Sequence, residues 1–191
     1  MSPFVEFTDG VINLRPFEPG EAKALHHAVR ESLKELKPWM SWADEGYTAA
    51  TAEKFITLIR NQWPGGAYYG FAILDAGTGD LLGGCSLSHI HPVYHFCNLG
   101  YWVRTTQRGR GIAGRAAQLA ARFAFEKLGL IRVEIVIAMG NNASKRVAEK
   151  VGAHYEGVLL NRMLVREEVY DAWMYSLLPS DFTERQVTFK T

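Results

Sequence analysis

"TQRGRGIAGRAAQLAARFAFEK", Thr106 to Lys127, sets three glycines and three arginines within Gln107–Ala116 and follows them with an alanine-rich run. In that run Ile112, Ala116, Leu119 and Phe123 recur at helical spacing, so it reads as a helix with one apolar face. Packing gives no reason to place glycine and like charge in front of a helix. The first N–H groups of a helix are unpaired and carry partial positive charge. Glycines let that backbone approach an anion closely, and arginines around it add charge-assisted hydrogen bonds. The stretch therefore predicts an anion-binding turn between a strand and a helix. A tight strand-to-helix turn with solvated arginines is the plainer alternative.

The rest of the chain narrows the class. Its 191 residues suffice for one well-buried domain. Twenty-one basic and 20 acidic residues leave a net charge of +1, which argues against a general nucleic-acid or membrane-surface binder. Two cysteines, Cys85 and Cys97, make no disulfide framework; they read as buried inert thiols in a reducing, cytoplasmic setting. "MSPFVEFTDG" carries no basic and apolar leader pattern, and no run approaches the ~20 apolar residues of a membrane span.

Outward from the opening stretch, "VINLRPF" (11–17) alternates as a strand, and "EPGEAKALHHAVRESLKEL" follows as a helix. "PWMSWADEGYT" (38–48) is an aromatic loop. "TAEKFITLIRNQW" (51–63) places Phe55, Leu58, Ile59 and Gln62 on one helical face. "AYYGFAILD" (67–75), "DLLGGCSLSHI" (80–90) and "FCNLGYWVR" (96–104) read as strands, the first two joined by an "AGTG" turn. "IRVEIVIA" (131–138) is a strand, with Arg132 and Glu134 as a surface pair. "NNASKRVAEKVG" (141–152) is a short helix with Gly152 at its C-terminal cap, and "HYEGVLLNRMLV" and "EVYDAWMYSLL" are two strands joined around "REE". This order predicts an α/β (α+β) domain, a mixed, mostly antiparallel sheet flanked by helices, over residues 1–180 with a C-terminal tail, 181–191.

The glycine turn lacks the G-x-x-x-x-G-K-[ST] spacing of a Walker loop. Gly109, Gly111 and Gly114 fit G-x-G-x-x-G by letter, but the strands before them form apparent hairpins, not a parallel βαβ unit. "RGRGIA", Arg108–Ala113, instead fits the R-x-x-G-x-[GA] signature of the GCN5-related N-acetyltransferases. "GYWV" before it, "NNASKRVAEKVGA" and "YEGVL…YDAWMYSLL" after it, and "LKPWMSWAD" (36–44) resemble the branch of that family containing RimJ and RimL. The resemblance covers roughly residues 10 to 178.

The resemblance implies transfer of an acetyl group from acetyl-CoA to a primary amine by direct attack, with no metal. It implies that the backbone amides of Arg108, Gly109, Gly111, Ala113 and Gly114 hold the pyrophosphate, with Arg110 and Ile112 also binding the cofactor. Tyr101, Trp102 and Val103 would run beside the pantetheine arm, with the Tyr101 N–H facing the acetyl carbonyl. It places Asn141 on the cofactor and makes Ser144 the proton donor to the leaving thiolate. A serine at that position also reads as a helix cap. Where many members carry a tyrosine this chain has Ala148, and where RimL-like enzymes carry a glutamate in the penultimate strand it has Met163.

For the acceptor, Trp39 and Trp42 wall a pocket or pack in the core, and Asp44 and Glu45 draw a cationic amine or lie solvated. Asn98 bonds the acceptor amine or merely begins a strand. His89, His91 and His95 lack a further ligand, so no metal site is expected. The acceptor is a protein N-terminus or a small molecule such as a polyamine or aminoglycoside; the chain acts as monomer or homodimer, without membrane or nucleic acid. A non-catalytic acyl-CoA-binding domain is the rival reading.

Overall fold

A computed structural model describes residues 6–182 and 188–190. The reading of a missing leader in residues 1–10 and of a tail over 181–191 thus falls partly outside the described residues. The strands are β1 (Glu6–Thr8), β2 (Ile12–Pro16), β3 (Tyr69–Asp75), β4 (Leu81–His91), β5 (Phe96–Val103), β6 (Arg132–Ala138), β7 (His154–Val165), β8 (Glu168–Leu177) and β9 (Thr188–Lys190). The helices are α1 (Ala22–Glu31), α2 (Leu33–Leu36), α3 (Ala49–Gln62), α4 (Ile112–Glu126) and α5 (Asn142–Lys150). The strands form one sheet ordered β7-β8-β6-β5-β4-β3-β2-β1-β9. Among the described residues only β5 and β6 pair in parallel; α4 is their crossover. The mixed, mostly antiparallel α/β fold read from the sequence is the fold observed, with short β1 and β9 added at one edge.

Each sheet face buries one layer of helices. On one side α4 lays Ala116, Ala117, Leu119, Ala120 and Phe123 against Phe7, Phe71 and Leu99. The alanines let the helix lie close to the sheet. Phe123 fills the remaining space, 5.4 Å from the rings of both Phe7 and Phe71. On the other side α1 and α3 bury Leu25, Val29, Ala52, Ile56 and Ile59. The α3 face differs from the one expected. Ala52, Ile56 and Ile59 form the inward stripe, while Leu58 is 55% exposed. Four large side chains on a possible face outweighed, in the sequence, an alanine that only close packing rewards.

Arg132 and Glu134 do pair, at 2.9 Å, but not as a surface pair. They lie half-buried in a network in which Arg132 also binds Glu156 and Ser176 donates to Glu156. Among the described residues no helix is long and apolar enough to cross a membrane.

Candidate active site

The parallel ladder of β5 with β6 is short: Phe96, Cys97 and Asn98 pair with Arg132, Val133 and Glu134. Beyond that rung β6 stays with β8, while β5 stays with β4 as far as Val103. The Arg104 N–H donates to the Leu82 carbonyl at 2.8 Å. Donors alternate along a strand, so the N–H groups of Trp102 and Gly100 also face β4. Those of Tyr101 and Val103 face the opposite way, into the gap left where β6 diverges. Trp102 is not on this side with its ring. The indole packs in the α1/α3 layer, where a Cβ on Gly84 would lie 2.8 Å from Nε1. Its N–H and C=O both face β4, and the residue still lines the cavity.

After β5 a 3-10 turn, Thr105–Gln107, leads into the glycines. Gly109 and Gly111 hold φ of +79° and +77°, left-handed backbone that a side chain disfavours. The first intrahelical bond of α4 runs from Arg115 N–H to Gly111 C=O at 3.1 Å. The N–H groups of Ile112, Ala113 and Gly114 therefore precede the helical ladder and point out of the helix end. Arg108, expected among the backbone donors, differs: its N–H turns back to the Thr105 carbonyl at 3.3 Å.

The turn itself contains no acid, but the fold brings acids to it. Glu31 binds Arg104 through both Nε and Nη2 and accepts from Thr106 Oγ1. The Arg104 hydrogen bond, with those from Thr106, holds its carboxyl down at about 2 against the opposing effect of burial. Glu35 accepts from Thr105 Oγ1 at 2.9 Å, and Ser32 Oγ accepts from the Thr105 N–H at 3.0 Å. Asp9, from the β1–β2 turn, binds Arg115 at 2.6 Å. Arg110 leans on Gln107 and Arg108 is half-exposed. The turn is thus clamped by α1 and α2, and part of its positive charge is already matched.

A cavity of about 1520 Å³ runs from this turn along β5 to the start of α5. Tyr101, Val103, Trp39, Asn141 and Ser144 line its far end. Asn141 caps α5, its Oδ1 accepting from the Ser144 N–H at 3.1 Å. The capping role open to Ser144 therefore belongs to Asn141. The Ser144 hydroxyl instead donates to Tyr101 Oη at 3.1 Å, and Tyr101 Oη donates to the Ser144 carbonyl at 3.1 Å. Ala148 is fully buried and supplies no proton. Sequence reasoning missed the phenol of Tyr101, and also Gln118, Arg146 and Lys150, which line the cavity from α4 and α5. The i, i+4 spacing of Arg146 and Lys150 was the one available signal.

The acceptor candidates separate. Trp39 lines the cavity, its ring 3.3 Å from where a Cβ on Gly140 would lie and 6.3 Å from Tyr170. Trp42 does not line it; 43% exposed, it stands 5.8 Å from Tyr47 and 6.2 Å from Trp102. Asp44 accepts from the Gly46 N–H at 2.7 Å, and Glu45 binds Lys37 at 2.5 Å. Asp44 is engaged within its own loop and Glu45 at the end of α2, and neither lines the cavity. Asn98 also lies off the cavity, with Oδ1 buried and unpartnered. Met163 sits on β7 opposite Tyr170. His89 meets Ser88, and His91 accepts from the N–H groups of Val93 and Tyr94. Burial raises the thiols of Cys85 and Cys97, the latter to about 12 with help from the Glu134 charge.

A splayed strand pair with inward N–H groups, beside a helix N-terminus with open donors, suits a long ligand with an anionic head and an amide-bearing arm. Known proteins resemble this chain in sequence and in fold. The Bacillus subtilis (strain 168) protein named ribosomal N-acetyltransferase YdaF is 31% identical over 175 residues, 90% of this chain and 93% of that protein. A Vibrio cholerae structure described as a ribosomal-protein-serine acetyltransferase is 29% identical, with a TM-score of 0.83 over 94% of this chain and all of that one. The microcin C7 self-immunity acetyltransferase MccE, in complex with acetyl-CoA and AMP, shares the fold at a TM-score of 0.82 and 20% identity, over 90% of this chain and 93% of its own. The Acetyltransferase (GNAT) domain family matches residues 12–154. The chain belongs to the GNAT family and is an acetyltransferase.

Proposed function

We propose that the chain moves the acetyl group of acetyl-CoA to a primary amine, with a protein N-terminal α-amine as the acceptor class. The observation that carries the donor is the pair of N–H groups on Tyr101 and Val103, facing the gap between β5 and β6 next to the open end of α4. In this reading the N–H groups of Gly109, Gly111, Ile112, Ala113 and Gly114 hold the diphosphate, with Arg108 and Arg110 at its rim. The Val103 backbone bonds the pantetheine amide, and the free amide of Asn141 faces the same arm. The Tyr101 N–H points at the carbonyl oxygen that gains charge as the amine attacks. The Ser144–Tyr101 hydroxyl pair faces the departing sulfur. Holding donor and acceptor together supplies the orientation that a bimolecular encounter lacks.

The acceptor class rests on acidity. The carboxylates lining the cavity are Asp9 and Glu35, and both are bonded near the turn. With no carboxylate among the described residues at the far end to take a proton, the amine must enter largely neutral. An α-amine of pKa ~7.7–8.0 is neutral about a tenth of the time at pH 7, a lysine-like amine of ~10.4 well under one part in a thousand. Two relatives carry names for acetylation of ribosomal proteins, which agrees with a protein acceptor.

A panel of peptides and small amines, read by free-thiol release from acetyl-CoA, tests this directly. Peptides with free α-amines should turn over, and log kcat/KM should rise with unit slope up to the acceptor's own pKa, moving when the acceptor is exchanged. A limb fixed near pH 6 for every acceptor would reveal an enzyme base and overturn the neutral-amine reading. Acetyl-CoA binding without turnover of any amine would leave a non-catalytic binding domain instead.

A further inference from the structure

A hydroxyl carries one proton. Ser144 directs its own at Tyr101 Oη, 3.1 Å away, not at the cavity. Tyr101 rests its proton on the Ser144 carbonyl, also at 3.1 Å, and rotation of the phenol O–H releases it. Both side chains line the far end of the cavity, with Trp39 and Asn141 as neighbours. Among these four, the phenol alone titrates within the ordinary range of protein side chains. Burial pushes Tyr101 up to about 12, and the Ser144 hydrogen bond draws it back down, so the phenol is protonated at neutral pH.

We propose that the phenol of Tyr101 is the catalytic acid of this site and that Ser144 is its positioning residue. The assignment rests on the reading of acetyl-CoA as donor. The amine nitrogen bonds to the acetyl carbon, and the C–S bond breaks with its electron pair on sulfur. Tyr101 swings its O–H from the Ser144 carbonyl to the sulfur and transfers the proton, leaving a free thiol and a phenolate. The nitrogen gives up one proton to solvent, and the phenolate regains one from solvent, so the cycle closes. A phenolate beside the Ser144 carbonyl faces its partial negative charge. The Ser144 O–H, already aimed at the phenolic oxygen, offsets that repulsion. Tyr101 then acts twice, with its N–H on the carbonyl oxygen and its side chain on the leaving sulfur.

Tyr101→Phe, Ser144→Ala and Ser144→Thr decide the matter, with kcat from thiol release, acetyl-CoA affinity by calorimetry and melting temperature measured for each. Tyr101→Phe should lower kcat about 10²–10⁴-fold, the range of a lost general acid, with acetyl-CoA affinity within about threefold. Ser144→Ala should lower kcat roughly tenfold, and Ser144→Thr, which keeps a hydroxyl, should restore it to within about threefold. Ser144→Ala falling as far as Tyr101→Phe, or Tyr101→Phe retaining kcat, overturns the assignment. Fluorotyrosines placed at position 101 keep the hydroxyl and grade its acidity; a kcat indifferent to that series overturns it too, even if the phenylalanine variant misfolds. These outcomes leave the donor reading intact. Wild-type protein that neither binds acetyl-CoA nor releases its thiol sinks the donor reading, and this step with it.

Discussion

At the α4 end of the cavity the donors in the proposed reading are backbone N–H groups from one short stretch, those of Gly109, Gly111, Ile112, Ala113 and Gly114. At the far end Trp39, Tyr101, Asn141 and Ser144 arrive from the α2–α3 loop, β5, the β6–α5 turn and α5. The first end depends on backbone conformation and is indifferent to most side chains. The second depends on four side chains meeting, and so on every element that carries them. Substitutions should therefore act differently at the two ends: glycine matters more than arginine at one, and individual functional groups matter at the other.

The largest effect tests the first half of that contrast. Gly111→Val places a β-branched residue at φ +77°. A Cβ there meets no protein atom within 4 Å, so the fold can accept it at a conformational cost of about 1–2 kcal/mol. In the proposed reading the same Cβ stands where the diphosphate approaches the N–H groups. Acetyl-CoA should bind at least about tenfold more weakly by calorimetry. Arg110→Ala, an exposed side chain leaning on Gln107, should cost less than about threefold, because a single screened surface charge contributes under ~1 kcal/mol. Equal losses from the two variants would break the backbone account.

Trp39→Ala should raise the acceptor KM about fivefold while acetyl-CoA affinity stays within about twofold, since the ring walls the far end and touches no donor of the turn. Loss of cofactor affinity instead would place Trp39 on the arm of the donor.

Glu31→Gln probes the clamp between the halves. The folded carboxyl sits near 2, below its ordinary 4.5, so its contribution to stability is complete above about pH 5. That contribution falls as the pH drops toward 2. The variant should melt roughly 3–6 °C below wild type at pH 7, from loss of about 1.5 kcal/mol of charged hydrogen bonding. The difference should shrink steadily on acidification. A difference unchanged at pH 3 would mean that the carboxylate charge is not what holds the turn.

The smallest effect is expected from Asp44→Asn with Glu45→Gln. Asp44 is engaged by the Gly46 N–H and Glu45 by Lys37 at the end of α2. The acceptor KM should stay within about twofold, at the level of exposed charge pairs. A tenfold rise would move the acceptor onto that loop.

The sequence by itself determined the order of elements, the mixed sheet and the glycine turn ahead of α4. Each follows from local physics: alternation for strands, a 3.6-residue period for helices, and glycine where the backbone turns left-handed at positions 109 and 111. It also led through a recognisable motif to Ser144 and Asn141. Only the tertiary structure decided which candidates meet. Asp44, Glu45, Trp42 and Asn98 are plausible by type but lie off the cavity, because their loop and strand present them elsewhere. Glu31, Glu35 and Asp9 reach the turn from about 70 to 106 residues away, a separation over which no local pattern carries a signal. Tyr101 was legible as a backbone donor on a strand, but its phenol meets Ser144 across 43 residues only because β5 and α5 converge at the divergence of β6. Backbone conformation is written in neighbouring residues, whereas the meeting of side chains is set by packing of the whole sheet and its two helix layers.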